Sequence, residues 1–335
     1  MFQFNIVIYI TILLSIIGCN CNTLHQDRIT DFHQENTKPL IVLFHGLGAD
    51  AFSFDTLKKE FMQAFPHASV IALTSVAEGR TALLSIKEQG TQCFKELLHK
   101  IPRLRNRPIL LVGHSQGGLR AYSMFDQYKD MLYVKGIITL ATPWEGTPIL
   151  NANQGLLSKY CTKPVLNDMC RLSSGMGKDP NWIEQWLRSM LEMLKVSLLN
   201  VGCSDLKPGS AFLTQVKNAL PKEEVPILAV GGGQNDFKIF LTKKSNHDFK
   251  YLNNAWTKII VGTTDLTHRH DMIVPLYSQH ALNIMPETHK NFKRLFIQDA
   301  LHDQLLAVSS IAKSKSILCH PDMVQGVIAF GKCVL

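Results

Sequence analysis

Arg107-Pro-Ile-Leu-Leu-Val-Gly-His-Ser115-Gln-Gly-Gly118 is the stretch whose reading decides the fold. Ile109 to Val112 form a short run that is apolar on both faces, which suits a strand buried inside a parallel sheet. The run ends in Gly113-His114-Ser115-Gln116-Gly117, a Gly-x-Ser-x-Gly pattern, and a helical segment, Leu119–Tyr128, follows at once. Strand, sharp turn and helix in that order put the serine on a strained corner, with its hydroxyl clear of the main chain. A side chain at Gly113 or Gly117 would collide with neighbouring backbone there. The helix also turns its positive end towards the hydroxyl. Ser115 is therefore expected to be a nucleophile, against the alternative of an idle serine in a glycine-rich turn.

Similar apolar runs recur on either side. They are Pro39–Phe44, Ala68–Leu73, Pro108–Gly113, Val134–Ala141, Pro226–Gly231 and Lys293–Gln298, with helical patterns at Phe54–Phe65, Gly79–Lys100 and Gln116–Tyr128. This alternation predicts an α/β fold with a mostly parallel central sheet and helices on both faces. Two stretches break the rhythm. The connection from Ala141 to Pro226 is roughly eighty residues, far longer than usual, and predicts a helical, lid-like insertion over about 144–222. Within it Trp182, Ile183, Trp186, Leu187, Met190, Leu191 and Leu194 recur at helical spacing opposite Glu184, Gln185, Arg188 and Glu192. That stripe packs an inserted subdomain, walls an acyl chain, or does both. The second break, Gly232–Lys258, is polar and lysine-rich and reads as an excursion at the edge of the sheet.

Composition bounds the function. The chain has 335 residues, 46% hydrophobic and 19% charged, enough for a large core and unlike a disordered tail, a collagen-like fibre or a small disulfide scaffold. Thirty-five Lys+Arg against 27 Asp+Glu give a net charge of +8, which favours anionic surfaces such as lipid. No Lys/Arg stripe interleaved with aromatics, zinc-finger spacing or nucleotide-binding glycine pattern is present, so neither nucleic acid nor a metal or other cofactor is expected.

Upstream, Pro39–Phe44 runs into His45-Gly46-Leu47-Gly48-Ala49-Asp50. Hydrolysis of an ester needs N–H groups aimed at the developing oxyanion, and small residues let the chain come close to it. The amides of Leu47 and Gln116 are the natural pair. His45, beside a glycine turn, is expected to orient that loop and not to act as a base.

Three segments, FHGLGADAFSF (44–54), GHSQGG (113–118) and LATPWEGTP (140–148), resemble the α/β-hydrolase superfamily, and within it bacterial lipases and esterases. The resemblance spans Pro39–Ala312 and extends to palmitoyl-protein thioesterases. It implies the α/β-hydrolase fold, with the acid after the nucleophile and the histidine last. On that order Asp271, in Asp271-Met-Ile-Val-Pro275, is the expected acid, with Asp265 and Asp236 as rivals. His302 follows the last strand and is the expected base. His268 and His270 with Asp265 form either a metal site or, as expected here, a solvated loop. The implied activity is hydrolysis of lipid or fatty-acyl esters through an acyl-enzyme. Alternatives on the same residues are an acyl-protein thioesterase and an acyltransferase; a binding module that retains the fold is the non-enzymatic one.

Residues 1–18 read as a secretory signal, apolar from Ile6 to Ile17, and 19–38 as a polar tether. Ile16-Ile17-Gly18-Cys19 resembles the cleavage box of bacterial lipoproteins, which implies lipidation of Cys19 and a membrane surface as partner. An ordinary cleaved signal and an uncleaved anchor are the alternatives. Either way an exported protein is expected. Of the eight cysteines, Cys161 with Cys170 and Cys319 with Cys333 are close enough in sequence to suggest disulfides. Intact-mass analysis should find a mature chain that begins at an acylated Cys19; an unmodified Cys19 counts against the lipoprotein assignment.

Overall fold

The hydrophobic runs assemble as strands in a single parallel sheet. In this computed structural model, residues 38–101, 104–151, 159–160, 162–175, 200–241, 246–262, 269–303 and 314–335 are described. The strands are β1 (Leu40–Phe44), β2 (Ser69–Ala72), β3 (Ile109–His114), β4 (Val134–Leu140), β5 (Ile227–Gly232) and β6 (Phe292–Ile297), paired in the order β2-β1-β3-β4-β5-β6. Each overlaps an expected run to within a residue or two. β1, β3 and β5 are buried along their whole length, which is why they read as unbroken apolar runs and not as alternating ones.

Alternate residues of each strand face opposite layers. Leu40, Val42, Ile109, Leu111 and Ile137 pack with Phe94, Leu97, Leu119 and Tyr122. Those partners come from α3 (Ile86–Lys100) and α4 (Gln116–Tyr128). Ile41, Leu43, Leu110, Val112 and Ile138 face the other way, against Leu57 and Phe61 of α1 (Asp55–Ala64) and Met323, Val327 and Phe330 of the C-terminal helix, Pro321–Val334. Helices thus cover both faces.

Two expectations change. Gly79–Lys100 is not one helix. It divides into α2 (Arg80–Leu83) and α3, because Ser85 is extended and closes a capping box with Glu88: its side chain accepts from Glu88 N–H while Glu88 accepts from Ser85 N–H at 3.0 Å. The polar segment Gly232–Lys258 leads into a buried helix, Lys250–Val261, whose Leu252, Ala255, Trp256 and Ile259 join the core. Its polar residues occupy the outer stripe of an amphipathic helix, a pattern that composition alone conceals.

Within 144–222 the described helices are α5 (Lys163–Gly175), α6 (Val201–Ser204) and α7 (Ala211–Ala219); continuing, α8 is Lys250–Val261, α9 is Leu276–Gln279 and α10 is Pro321–Val334. Asp168 of α5 caps α8, accepting from the N–H groups of Tyr251 and Leu252, both at 3.1 Å. The Trp182–Leu194 stripe, the signal and Cys19, Cys161, Asp265, His268 and Leu305–Ile311 lie outside the described residues. Among the described residues no helix is long and apolar enough to cross a membrane.

The Cys319–Cys333 pair does not form, and Cys170 and Cys333 are both exposed free thiols. Cys319 precedes α10 and Cys333 lies in its last turn, and a rise of about 1.5 Å per residue holds them some ~20 Å apart. A disulfide tolerates a Cα separation of only about 7 Å. Maleimide should therefore label Cys170 and Cys333 in the native protein without reductant; labelling that requires reduction contradicts this arrangement.

Candidate active site

β1 sends its chain to β2 on one side, whereas β3 leads to β4, β5 and β6 on the other. Such a reversal leaves a crevice beyond the carboxyl ends of the two central strands. Phe44 and Gly113 are paired there, so the loop after β1 and the turn after β3 open into the same space. Ser115 occupies that turn with φ 54° and ψ −127°, a left-handed conformation that costs about 1–3 kcal/mol for a non-glycine residue. Its neighbours permit it. A Cβ on Gly113 would run into the backbone of Gly117 and Gly118, and one on Gly117 into the carbonyls of Phe44 and His45. The Ser115 N–H, donating to Leu140 O at 2.8 Å, fixes the corner against β4.

His302, in the loop after β6, faces the serine. Its Nε2 lies 3.0 Å from Ser115 Oγ, and its Nδ1 lies 2.7 Å from Asp271 Oδ2. A carboxylate accepts, so the Nδ1 proton goes to Asp271 and Nε2 is left to accept from the serine hydroxyl. Burial works against a charge on His302, but the charge and hydrogen bond of Asp271 outweigh it and leave its pKa above the ordinary 6.5. Asp271, itself fully buried, accepts at Oδ1 from the N–H groups of Ile273 (3.0 Å) and Val274 (2.8 Å). Its carbonyl accepts from His302 N–H at 2.9 Å, so main chain and side chain both join the two residues.

The turn carrying Asp271 is itself clamped. Met272 has φ 82°, and its carbonyl accepts from Trp256 Nε1 at 3.0 Å. Gln279 Oε1 accepts from Gly232 N–H at 2.7 Å while its Nε2 donates to Val274 O at 2.8 Å, fastening the turn to the end of β5. The His302 loop is held by His114 Nε2 donating to His302 O at 2.8 Å, and by Leu301 pairing with the segment before α10. Gln279 and His114 carry no sequence signal for these roles. Gly232, which Gln279 holds, is 47 residues away from it, and His302 is 188 from His114.

Of the other sequence candidates, Leu47 lies on the loop after β1, where a Cβ on the preceding Gly46 would sit 3.1 Å from Ser115 Cβ, and Gln116 opens α4 next to the serine. As the first residue of α4, Gln116 has no intrahelical acceptor for its N–H, and no acceptor among the described residues takes the Leu47 N–H. His45 is buried, donates from Nδ1 to Gly46 O at 3.1 Å, and is held neutral by burial and by Arg120, its pKa lowered to about 4. Asp236 accepts from Lys238 N–H and Asn253 Nδ2 and so serves as a cap. His270 accepts from Met272 N–H at Nδ1 and donates from Nε2 to Thr257 Oγ1, so both ring nitrogens are engaged. It is not the solvated residue expected, because the turn that follows folds over it. Among the described residues no three His, Cys, Asp or Glu side chains are grouped to hold a metal ion.

A family model described as palmitoyl protein thioesterase matches residues 40–191, which run from β1 past the elbow into the insertion. Phospholipase PlaB from Legionella pneumophila superposes with a TM-score of 0.50 at 10% identity, over 88% of this chain and 64% of that one. The chain has the α/β-hydrolase fold. It is also similar to the mature lipase BlEst2 of Bacillus licheniformis (14% identity, 87% and 92% covered, TM-score 0.48). A thermophilic esterase from Thermogutta terrifontis is similar too (15% identity, 89% and 91% covered, TM-score 0.47). No curated protein matches the sequence. The chain thus resembles hydrolases of the lipase, esterase and palmitoyl thioesterase kind.

The histidines should separate by titration. A raised pKa means that the imidazole of His302 keeps its proton above pH 6.5, and its stabilising effect on the fold is lost as pH rises through the folded value. His114, His270 and His280 are pulled the other way by burial, each to about 4. Imidazole NMR should show the His302 resonance, identified by its loss in His302→Gln, titrating above 6.5. Asp271→Asn should lower that resonance, since burial is then opposed only by the charge of Asp303; an unmoved resonance would break the assigned pairing.

Proposed function

We propose that this chain is a serine hydrolase that cleaves lipid or fatty-acyl esters with Ser115, His302 and Asp271. The observation that carries the reading is the continuous hydrogen-bonded line from Ser115 Oγ through His302 to Asp271, at 3.0 and 2.7 Å. In this mechanism His302 Nε2 takes the hydroxyl proton as Oγ attacks the acyl carbonyl. Asp271 keeps the imidazole in the tautomer that can accept, and stabilises its charged form. The carbonyl oxygen, now negative, accepts from the N–H groups of Leu47 and Gln116; one such donor typically contributes about 10²–10³ in rate. His302 then gives its proton to the leaving group, and water enters by the reverse path to free the acid.

A thioester is the second reading. It is favoured by the match to the palmitoyl protein thioesterase family over residues 40–191. The residues and steps are the same, with a thiolate in place of an alkoxide as leaving group. For residues 1–19 the sequence reading stands as part of the proposal: an exported enzyme, secreted or held to a membrane by Cys19.

Ser115→Ala should lower turnover by roughly 10⁴-fold or more while the protein stays folded. A fluorophosphonate probe should label the wild type and not the variant. Unchanged turnover in Ser115→Ala would overturn the nucleophile. A panel of p-nitrophenyl esters, triglyceride, phospholipid and palmitoyl thioester separates the substrate classes, and preference for the thioester selects the second reading.

A further inference from the structure

The two candidate oxyanion donors sit on different elements: Leu47 on the loop after β1, Gln116 at the start of α4. A pair of donors works only if their separation is fixed before the charge develops. Two buried side chains bracket Leu47. On one side Arg120, a turn beyond Gly117 on α4, donates from Nη2 to His45 O and from Nη1 to Val76 O at 2.9 Å. On the other side Thr81 Oγ1 accepts from Gly48 N–H at 2.8 Å and donates to Glu78 O at 2.5 Å. The Thr81 carbonyl in turn accepts from Gln116 Nε2 at 3.0 Å and from Gln89 Nε2 at 2.8 Å. The residue that offers one donor therefore holds, through its own side chain, the residue that anchors the loop offering the other.

We propose that Arg120 and Thr81 are positioning residues that set the place of the Leu47 N–H relative to the Gln116 N–H. The inference rests on the ester-hydrolase reading of the site. Arg120 and Thr81 are both fully buried and touch neither serine nor histidine through the bonds above, so they act on the reaction only through the loop. Arg120 is costly to place: its guanidinium is out of water, and its Nε finds no acceptor among the described residues. What it supplies is reach, since one planar group grips two separate loop carbonyls at once. Thr81 supplies the complementary hold: Gly48 is itself exposed, so without the hydroxyl its N–H turns to water and the loop loses a fixed anchor. A shift of about 1 Å in such a site costs up to ~10²-fold in rate.

The test compares Thr81→Val, Thr81→Ser and Arg120→Lys with the wild type, using a p-nitrophenyl ester, a trifluoromethyl ketone of matching chain and the product acid. Addition of Ser115 Oγ to the ketone carbon, with its proton passing to His302, makes a tetrahedral oxyanion. Ketone affinity therefore reads the hole, and acid affinity reads the ground state. Thr81→Val and Arg120→Lys should lose about ten- to a hundredfold in kcat with KM little changed. Ketone binding should weaken by the same factor, acid binding should stay constant, and Thr81→Ser should recover most of the loss. Folded variants with wild-type kcat and ketone affinity overturn the proposal; so does a loss in which ketone and acid weaken alike, since that is general loosening. If one substitution prevents folding, the other decides. A wild type that neither turns over the ester nor takes the fluorophosphonate sinks the ester-hydrolase reading instead, a result distinguishable from indifferent variants of an active enzyme.

Discussion

Everything in the crevice depends on how closely the first turn of α4 lies against the end of β1. Gly117 rests on the carbonyls of Phe44 and His45, with no room for a Cβ between them. That contact fixes three things together. It holds Ser115 in its left-handed conformation, fixes the start of α4 at the crevice, and sets the loop after β1 beside it. A methyl group at this point would have to separate the helix from the strand, because the obstructing atoms are backbone on both sides and cannot rotate away.

The second constraint is electrostatic. Asp271 and His302 are both nearly out of water, and a buried carboxylate is tolerated only when its oxygens are satisfied. Here two backbone N–H groups and the imidazole satisfy them. The neighbouring histidines show what burial does without such a partner: His114, His270 and His280 are all driven to about 4. The same low-dielectric surroundings thus keep several imidazoles neutral and one prone to charge, and the difference is the carboxylate hydrogen-bonded to it. His114 is additionally useful as a neutral ring, since its Nε2–H grips the His302 carbonyl.

The supporting shell is built from long-range hydrogen bonds. Gln279 joins the acid's turn to β5, Thr81 and Arg120 join the loop after β1 to α4, and His114 joins the elbow to the histidine loop. In each case a side chain bonds the main chain of a distant segment. Such bonds define positions more tightly than apolar packing does, because their geometry is directional. They also concentrate at the carboxyl edge of the sheet, where the chain leaves regular structure and its backbone groups need partners.

What the sequence determined is local. Apolar runs buried on both faces, the alternation of strand and helix, and the glycines around Ser115 each encode a geometry that neighbouring residues enforce by sterics and burial, and the six-stranded sheet follows from them. The break at Ser85 was legible in principle as a capping box; the buried helix at Lys250–Val261 was masked by the polar Lys and Asn residues of its outer face. Three-dimensional closure decided the rest: that Asp271 and not Asp236 meets His302, that His270 is interior, that Cys319 and Cys333 stand a helix apart, and that Thr81, Arg120 and Gln279 hold the site. These depend on contacts between segments tens to hundreds of residues apart, and a linear pattern carries only those preferences that a residue's near neighbours can express.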